Sequence, residues 1–420
     1  MKNTGWLLFD KILRLGVGLV VGVWVVRFLG PDRFGVFSFA FAFATLFSVF
    51  VSLGLDGVVV RELVSAPQEK NSILGAAFTL KLVGGVFALI VSLLAIYFLR
   101  PADFQVRAMV GIIAVGMIFQ SLDVIDFWLQ SQIEARVAVY ARSIAFLLVS
   151  GLKVFLILTN APLIAFAWAA SLELALAGIG LVLVYRYTGH HILEWRPDSS
   201  RVRQLLGDSW PLALSSVAII IYMKIDQIML GEMLDSTAVG VYSAAVRISE
   251  VWYFIPAAIV ASVSPSLFEA SRTSQVIFDQ RLEKLFRTVS LTALAIAVPM
   301  TFLSNFATRA LYGNAYAGAG QILAIHIWAA LFVFMGVAQN PWTIIEGQTK
   351  FALVKTTIGA ASNVILNLLL IPRYAGIGAA VATTVSYALA SFLLNVFNAR
   401  SRKLFYLQLW SLLPIFQTRN

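Results

Sequence analysis

The sequence predicts an all-α polytopic membrane protein with about twelve transmembrane helices. Apolar residues make up 60% of the chain and charged residues only 12%, against roughly 45–50% and about 25% in soluble domains. A bilayer core about 30 Å thick requires about 20 apolar residues per helix, and the chain contains twelve such runs. They lie at about 8–29, 34–55, 73–99, 106–129, 138–159, 162–186, 209–231, 239–265, 286–305, 321–342, 353–371 and 376–398.

A sequence pattern that occurs twice divides these runs into two pseudo-symmetric lobes of six helices each. Leu29-Gly30 and the run Gly35-Val36-Phe37-Ser38 have counterparts 201 and 205 residues later, at Leu230-Gly231 and Gly240-Val241-Tyr242-Ser243. Both offsets are close to half of the chain, so one supersecondary unit used twice is the simplest explanation. We expect an N-terminal lobe at 1–190, a cytoplasmic linker at 191–208, a C-terminal lobe at 209–400 and a cytoplasmic or interfacial tail at 401–420.

The first run is expected to remain as the first helix. It contains Lys11 and Arg14, and no small-residue cleavage pattern follows it, which argues against a removable signal peptide. The longest connections, at about 187–208 and 266–285, have roughly 20 residues each, which is too short for a folded domain. Any function must therefore be built from the helices.

The stretch from Leu404 to Phe416 follows the twelfth run. It is too short to cross the bilayer as a straight helix, and Pro414 interrupts it. We expect it to lie along the membrane interface, a depth that suits Tyr406 and Trp410.

The distribution of basic residues predicts the orientation of the chain. If both termini are cytoplasmic, the inside segments hold 17 Lys and Arg residues and the outside loops hold 6. Cytoplasmic loops of membrane proteins carry such an excess. The net charge of +10 is thereby explained without nucleic acid, and the absence of cysteine excludes disulfides and thiol chemistry.

No motif for catalysis, nucleotide binding or metal binding is found. The chain lacks a Gly-x4-Gly-Lys-Ser/Thr loop, and Gly178-Ile-Gly180 and Gly376-Ile-Gly378 are expected to let helices pack closely. His190 and His191 are adjacent on a charged linker that we expect to be solvated, and His326 is interpreted as a satisfied buried side chain. We therefore predict no catalytic residue, no metal and no cofactor, and a protein that is not an enzyme.

Charged residues inside the apolar runs are the most informative feature. A central Lys, Arg or Asp costs about 2.5–3.5 kcal/mol on insertion scales, so most of these basic side chains must line a wet interior or lie at helix ends. Three of them, Lys11, Arg142 and Lys355, are close enough to an end to extend to the interface. The basic residues in the runs are Lys11, Arg14, Lys81, Arg142, Lys153, Lys224, Arg247 and Lys355.

Helical spacing places polar residues on common faces of four helices. Two interpretations follow, namely one water-filled cavity or internal salt bridges such as Arg247 with Glu250. The runs contain fewer acidic residues than basic ones, so a cavity would be cationic and its cargo anionic. The four faces are Lys11 and Arg14; Gln120, Asp123, Asp126, Phe127 and Gln130; Ser243, Arg247 and Glu250; and Lys355, Gly359, Asn363 and Asn367. The other acidic residues in the runs are Asp10, Glu173 and Asp226.

Three motifs resemble the Wzx-type polysaccharide flippases of the multidrug/oligosaccharidyl-lipid/polysaccharide exporter superfamily. The resemblance covers about residues 5–400, and the motifs are Arg27–Ala40, Lys224–Gly231 with Gly240–Arg247, and Asn363–Ser386. It implies two lobes arranged in a V that alternate between inward-open and outward-open states. It also implies an undecaprenyl-pyrophosphate-linked oligosaccharide as cargo, with lumen or portal roles for Arg14, Lys224, Asp226 and Arg247.

The charged and amide residues are assigned to two predicted roles. Without a nucleotide motif, the uphill step is expected to draw on an ion gradient, and acids embedded in a membrane can carry the ion. The cavity and portal residues are Arg14, Lys81, Lys153, Lys224, Arg247, Asn363 and Asn367, and the ion-coupling candidates are Asp123, Asp126, Asp226 and Glu250. Two acids three residues apart, Asp123 and Asp126, could also share a proton.

Expected partners are the lipid-linked glycan, the bilayer and other polysaccharide assembly proteins, in the bacterial inner membrane, with no nucleic acid. Two other functions stay open. A multidrug or small-cation exporter would be expected to have an acidic interior. A membrane glycosyltransferase or O-antigen polymerase would need a large outside loop with catalytic groups, whereas the loop between the seventh and eighth runs offers only Glu232 and Asp235.

Overall fold

The fold is entirely helical within residues 2–412, the part of the chain that a computed structural model describes. The helices are α1 Lys2–Leu46, α2 Val49–Ser52, α3 Leu55–Ser65, α4 Lys70–Leu99, α5 Phe104–Ile118, α6 Val124–Ser131, α7 Ala135–Leu158, α8 Leu163–Tyr187, α9 Ser199–Met233, α10 Ser236–Glu250, α11 Phe254–Thr273, α12 Gln275–Tyr312, α13 Ala319–His326, α14 Ala329–Ala338, α15 Asn340–Ile345, α16 Thr349–Ser391 and α17 Arg402–Ser411. The side chains of Asp10 and Lys11, and residues 413–416 of the predicted interfacial stretch, lie outside the described part.

Ten helical segments within this part are long and apolar enough to cross a membrane. Two of them, Gly16–Ser65 and Thr349–Phe397, contain 50 and 49 residues, against about 20 for one crossing. Gly30 divides the first and Ala375 divides the second by a non-helical backbone, and Leu53 and Gly54 add a further irregularity near the end of the first. Both breaks fall between two predicted runs. Counting each broken segment as two gives the twelve predicted helices, and the predicted fold class is confirmed.

The two breaks have different local causes. Gly30 has φ of 69°, a left-handed conformation that glycine adopts without steric cost. Pro31 follows it directly and has no backbone N–H to continue the helix. Ala375 has φ of 48°, which costs a residue with a Cβ roughly 1–2 kcal/mol. Packing around Ala375 must therefore hold the second break in place.

The small residues singled out from the sequence lie where helices approach closely. A Cβ at Gly178 would lie 2.9 Å from the Leu122 side chain. A Cβ at Gly376 would lie 2.6 Å from the Ile322 side chain. Neither distance is possible without moving the neighbour, so the predicted packing role of these glycines is confirmed.

The chain divides into two compact units that meet between Ile220 and Ile221, inside α9. The first unit has a buried apolar core contributed by α3, α4 and α6 to α9, with fully buried Leu55, Ile73 and Leu129. The second unit has its own core on α11, α12, α14, α15 and α17, which includes Phe278 and Phe334. Each unit therefore buries apolar side chains of its own.

The connection after α8 is mostly exposed, as predicted for a solvated linker, and it contacts the first unit at a few residues. The His190 Nδ1 atom lies 3.1 Å from the Lys70 Nζ atom. Trp195 packs against the first-unit core, and the Arg196 N–H donates to the Asn71 carbonyl at 3.1 Å. These contacts arise because the linker carries aromatic rings and free backbone donors that find partners on α4.

The beginning of α9 is also fixed to the first unit. Arg201 lies 3.6 Å from the Glu62 carboxylate, and Arg61 lies 2.6 Å from the Asp208 carboxylate. Leu205, between them on α9, is buried in the first core. The first two to three turns of α9 therefore pack as part of the first unit.

Candidate ion and substrate sites

An oxygen-rich cluster surrounds Asp226 in the interior of the second unit. Asp226 lies on α9 and is only 3% exposed. The Tyr242 hydroxyl donates to its Oδ2 atom at 2.6 Å, and Asn367 Nδ2 donates to its Oδ1 atom at 2.5 Å. The Thr383 hydroxyl also donates to the carboxylate, and Asn363 Oδ1 accepts from Asn367 at 3.2 Å. The structure thus brings Asp226 together with both asparagines that the sequence singled out.

The break in α16 makes this cluster possible. Asn367 and Thr383 are 16 residues apart on α16, so a straight helix would separate them by about 24 Å. Both nevertheless contact the carboxylate of Asp226. The non-helical backbone at Ala375 lies midway between them and lets the two halves of α16 reach the same group.

The electrostatics of the cluster are unusual for a buried acid. Every side chain that hydrogen-bonds to Asp226 in the described structure is neutral. Two buried polar atoms beside it, Asn363 Nδ2 and Asn367 Oδ1, have no hydrogen-bond partner. A buried carboxylate without a counter-charge is costly, and carboxylate, amide and hydroxyl oxygens are the ligands of hard cations. The cluster can therefore take up a proton or a small cation.

Three further predicted charged residues of the second unit lie near this cluster, because Lys224 is two residues before Asp226 on α9 and Glu250 interacts electrostatically with Asp226. Arg247 is exposed, while Lys224 and Glu250 are half-buried. Glu250 interacts electrostatically with both basic residues. Within the described residues no hydrogen bond joins Arg247 to Glu250, but their charges interact electrostatically, so the choice between a cavity and an internal ion pair stays a prediction. Their charges remain accessible for other partners.

The first unit contains a carboxylate pair held by an arginine. Arg142 on α7 lies 2.9 Å from Asp123 Oδ1 and 2.9 Å from Asp126 Oδ2. Gln130 donates to Asp126 at 3.1 Å. Arg142 therefore pairs inside the unit and does not extend to a helix end, and a proton shared between the two acids stays a prediction.

Three further predicted cations of the first unit have different surroundings. Lys81 is 3% exposed, and its Nζ atom lies 5.0 Å from the centre of the Phe127 ring. Arg14 lies 5.4 Å from the Phe146 ring centre. Lys153 forms an ion pair with Glu173 at 3.0 Å. The Lys153 charge is thus neutralised by Glu173, which reaches it from α8.

His326 is a buried side chain with a hydrogen-bond partner. His326 is 2% exposed, and its Nδ1 atom lies 3.0 Å from the Ser249 hydroxyl, as predicted for a satisfied buried side chain. No group of three or more His, Cys, Asp or Glu side chains within the described residues converges as a metal site would require.

Sequence reasoning missed Arg142, Tyr242 and Thr383 as members of these clusters. Arg142 had been interpreted as a side chain near a helix end. Tyr242 carries a signal, because it is the aromatic residue of the second repeated motif and the first motif has Phe37 there. Thr383 has no signal, since nothing in the sequence shows that the two halves of α16 fold back onto one residue.

Within residues 2–412, a fold of helices only, with ten candidate membrane spans and polar clusters inside each unit, is that of a multi-pass membrane protein. The chain belongs to the polysaccharide biosynthesis protein family, whose model matches residues 1–271. This membership confirms the family predicted from the motifs. It also confirms that the protein is a transporter and not an enzyme.

Known relatives and solved structures agree with this assignment. The chain is 25% identical to the probable flippase AglR of Haloferax volcanii over 91% of this chain and 80% of that one. Its fold matches the lipid II flippase MurJ with a TM-score of 0.72 and 16% identity, over 98% of this chain and 90% of that one. A multidrug resistance MATE family transporter of the MOP superfamily matches with a TM-score of 0.71 and 16% identity, over 95% and 93%.

Proposed function

We propose that this protein is a flippase that moves undecaprenyl-pyrophosphate-linked oligosaccharide units from the cytoplasmic to the outer leaflet. The observation that carries the proposal is membership in the polysaccharide biosynthesis family, and the similarity to AglR supports it. The cargo joins the surface polysaccharide after translocation. Its pyrophosphate is matched by the excess of basic residues in the predicted spans.

Deletion of the gene tests the cargo. We expect lipid-linked repeat units to accumulate on the cytoplasmic side and surface polysaccharide to disappear, with drug sensitivity unchanged. Surface polysaccharide that stayed normal while dye or drug efflux fell would instead favour the exporter alternative.

The cargo-binding cations proposed for this process are Arg14, Lys81, Lys224 and Arg247, with alternating access exposing them to each side in turn. Lys153 is the least suited of the predicted set, because Glu173 already neutralises it. Asn363 and Asn367 fit the ion site better than the cargo cavity, since both are fully buried beside Asp226.

We further propose that an ion gradient drives transport through the Asp226 cluster. All described hydrogen-bond partners of the Asp226 carboxylate are neutral. Binding of a proton or a cation would therefore change the net charge of the cluster from negative to neutral. Transport in reconstituted vesicles should respond to an imposed proton or sodium gradient, applied separately to identify the ion. Transport that ignored both gradients would contradict ion coupling while leaving the flippase proposal intact.

The proposed location is the bacterial inner membrane with both termini cytoplasmic, in contact with other polysaccharide assembly proteins. Reporters fused at Asp198 and Asp279 should be cytoplasmic, and a reporter at Asp235 should be outside. An outside signal at Asp198 would overturn this topology.

A further inference from the structure

The helix α17 packs a mixed apolar and polar side inward, with Leu404 in the core of the second unit. Leu404, Gln408 and Ser411 are its buried residues. Gln408 Nε2 donates to the Ser391 carbonyl at 3.1 Å, and the Ser411 hydroxyl lies 2.8 Å from the Ser290 hydroxyl. These inward residues have their hydrogen-bond partners within the protein. The opposite side of the helix is exposed.

The inward contacts of α17 extend to a buried lysine. Asn395 Nδ2 donates to Gln408 Oε1 at 3.0 Å, and Asn395 Oδ1 accepts from Lys355 Nζ at 2.6 Å. Lys355 also donates to Gln339 Oε1 at 2.8 Å and is 7% exposed. The expectation that Lys355 extends to the interface is therefore wrong, because neutral amide oxygens hold it inside.

The end of α16 supplies the negative partial charge in this network. The carbonyl of Ser391, the last residue of α16, accepts hydrogen bonds from Gln339, Asn395 and Gln408. Helix C-termini carry about half a negative charge, which stabilises the nearby Lys355 ammonium. From α17, Gln408 takes part in this network through its hydrogen bonds with Asn395 and Ser391. These hydrogen bonds fix the position of α17 against the second unit.

The outward side of α17 is apolar and aromatic. Tyr406 is 51% exposed, Trp410 48% and Leu409 36%. A helix on a water-soluble protein shows the opposite arrangement, with its apolar side buried. Tyr and Trp favour the region between lipid chains and water. The medium that covers this side of α17 is therefore less polar than water.

The position of α17 in the chain and its charges identify that medium. The helix begins at Arg402, close behind Phe397, where the last candidate span ends. Arg402 and Lys403 are both exposed, although Lys403 also contacts Asp279. Cations beside an aromatic surface at the end of a membrane span complement anionic lipid head groups.

We propose that the outward side of α17 lies in the head-group layer of the bilayer as a membrane anchor. Tyr406, Leu409 and Trp410 insert among the lipids, and Arg402 contacts anionic head groups. This anchor ties the end of α16 to the membrane plane through Gln408 and Asn395. It does not depend on which cargo the protein carries.

Spin labels at single cysteines test the anchor, because the chain has no natural cysteine and needs no background substitutions. Labels at Tyr406→Cys and Trp410→Cys are placed in the full-length protein in vesicles containing phosphatidylglycerol. Phe302→Cys serves as the lipid control, because Phe302 is 82% exposed and lies on α12 within a candidate span. Asp198→Cys, exposed on the connection before α9, serves as the water control.

The measurement is the collision rate of each label with oxygen, which enters lipid, and with a nickel chelate, which stays in water. We expect both α17 labels to lie between the two controls, with more oxygen collisions and fewer nickel-chelate collisions than Asp198→Cys. Labels that resemble Asp198→Cys would overturn the proposal. Spin–spin broadening at both α17 positions, independent of the lipid, would show a second copy of the chain on this side and would also overturn it.

The head-group contact has its own test. In vesicles of phosphatidylcholine alone, the Trp410→Cys label should become several-fold more accessible to the nickel chelate than with phosphatidylglycerol present. Adding Arg402→Gln should remove this difference between the two lipids. A label whose accessibility was the same in both lipids would overturn the contact with anionic head groups.

Discussion

The two units place acidic side chains in a membrane interior in opposite ways. In the first unit, Asp123 and Asp126 are paired with Arg142 at 2.9 Å each. In the second unit, Asp226 is more deeply buried and has only neutral partners. Both arrangements satisfy the carboxylate oxygens, but only the first supplies a counter-charge. The same chemical problem is thus solved by an ion pair in one unit and by hydrogen bonds in the other.

The repeated sequence pattern shows where this difference arises. The offset of 201 residues places Val25 at the position of Asp226, and the offset of 205 places Phe37 at the position of Tyr242. The first copy therefore has apolar side chains where the second has an acid and its hydroxyl donor. The scaffold is duplicated and the polar cluster is not. We infer that the second unit is specialised for the ion.

The comparison predicts its largest effect for Asp226→Asn. The amide oxygen still accepts from Tyr242 and Thr383, so we expect normal expression and thermal stability. Transport driven by an ion gradient should fall at least tenfold, because the group that changes charge is gone. The matched control is Asp123→Asn, which should retain transport. If the two variants behaved the other way round, the ion site would belong to the first unit.

Lys81 and Lys153 are two cations of the first unit that differ in their partners. Lys81→Met should lower export of the lipid-linked glycan severalfold or more while stability persists, because this variant removes one of the cations proposed to contact the pyrophosphate. Lys153→Met should change export little, since its charge is already paired with Glu173. Equal export by both variants would remove Lys81 from the cargo site. Lys81→Arg, which keeps the charge, should recover part of the loss.

Arg142→Ala tests how much the ion pair of the first unit contributes to stability. The change leaves two carboxylates without their counter-charge, and Asp126 is only 6% exposed. Leaving a buried polar group unpaired costs about 1–3 kcal/mol and more for a charged group. We expect a lower melting temperature of the detergent-purified protein. The triple change Arg142→Ala with Asp123→Asn and Asp126→Asn should restore much of the loss, and no recovery would show that Arg142 acts through other contacts.

The sequence predicts the helices well and their side-chain partners poorly. Twelve runs and both breaks are predictable, because apolar length and the Gly30-Pro31 and Pro372 signals are local. The pairing of Arg142 with two acids is not predictable, since it depends on how α7 packs beside α6. Lys355 shows the same limit. Its four-residue spacing from Gly359 indicates a polar face, yet only the fold reveals that it donates to two neutral amides, Gln339 between α14 and α15 and Asn395 just after α16.

The smallest effect is expected at His190, where the connection between the units packs on the first unit. Burial, and secondarily the neighbouring Lys70 charge, lowers the pKa of His190 below its usual 6.5. The folded protein therefore favours neutral His190, and its contribution to stability is fully present above pH 6.5 and is lost as pH falls through the lowered pKa. His190→Asn, which keeps an acceptor near Lys70 Nζ, should flatten the melting temperature between pH 7 and pH 5 relative to the unmodified protein. His191→Asn, at the exposed neighbour, is the control and should leave the slope unchanged. The same slope in both variants would mean that the linker contact with Lys70 does not depend on the protonation of His190.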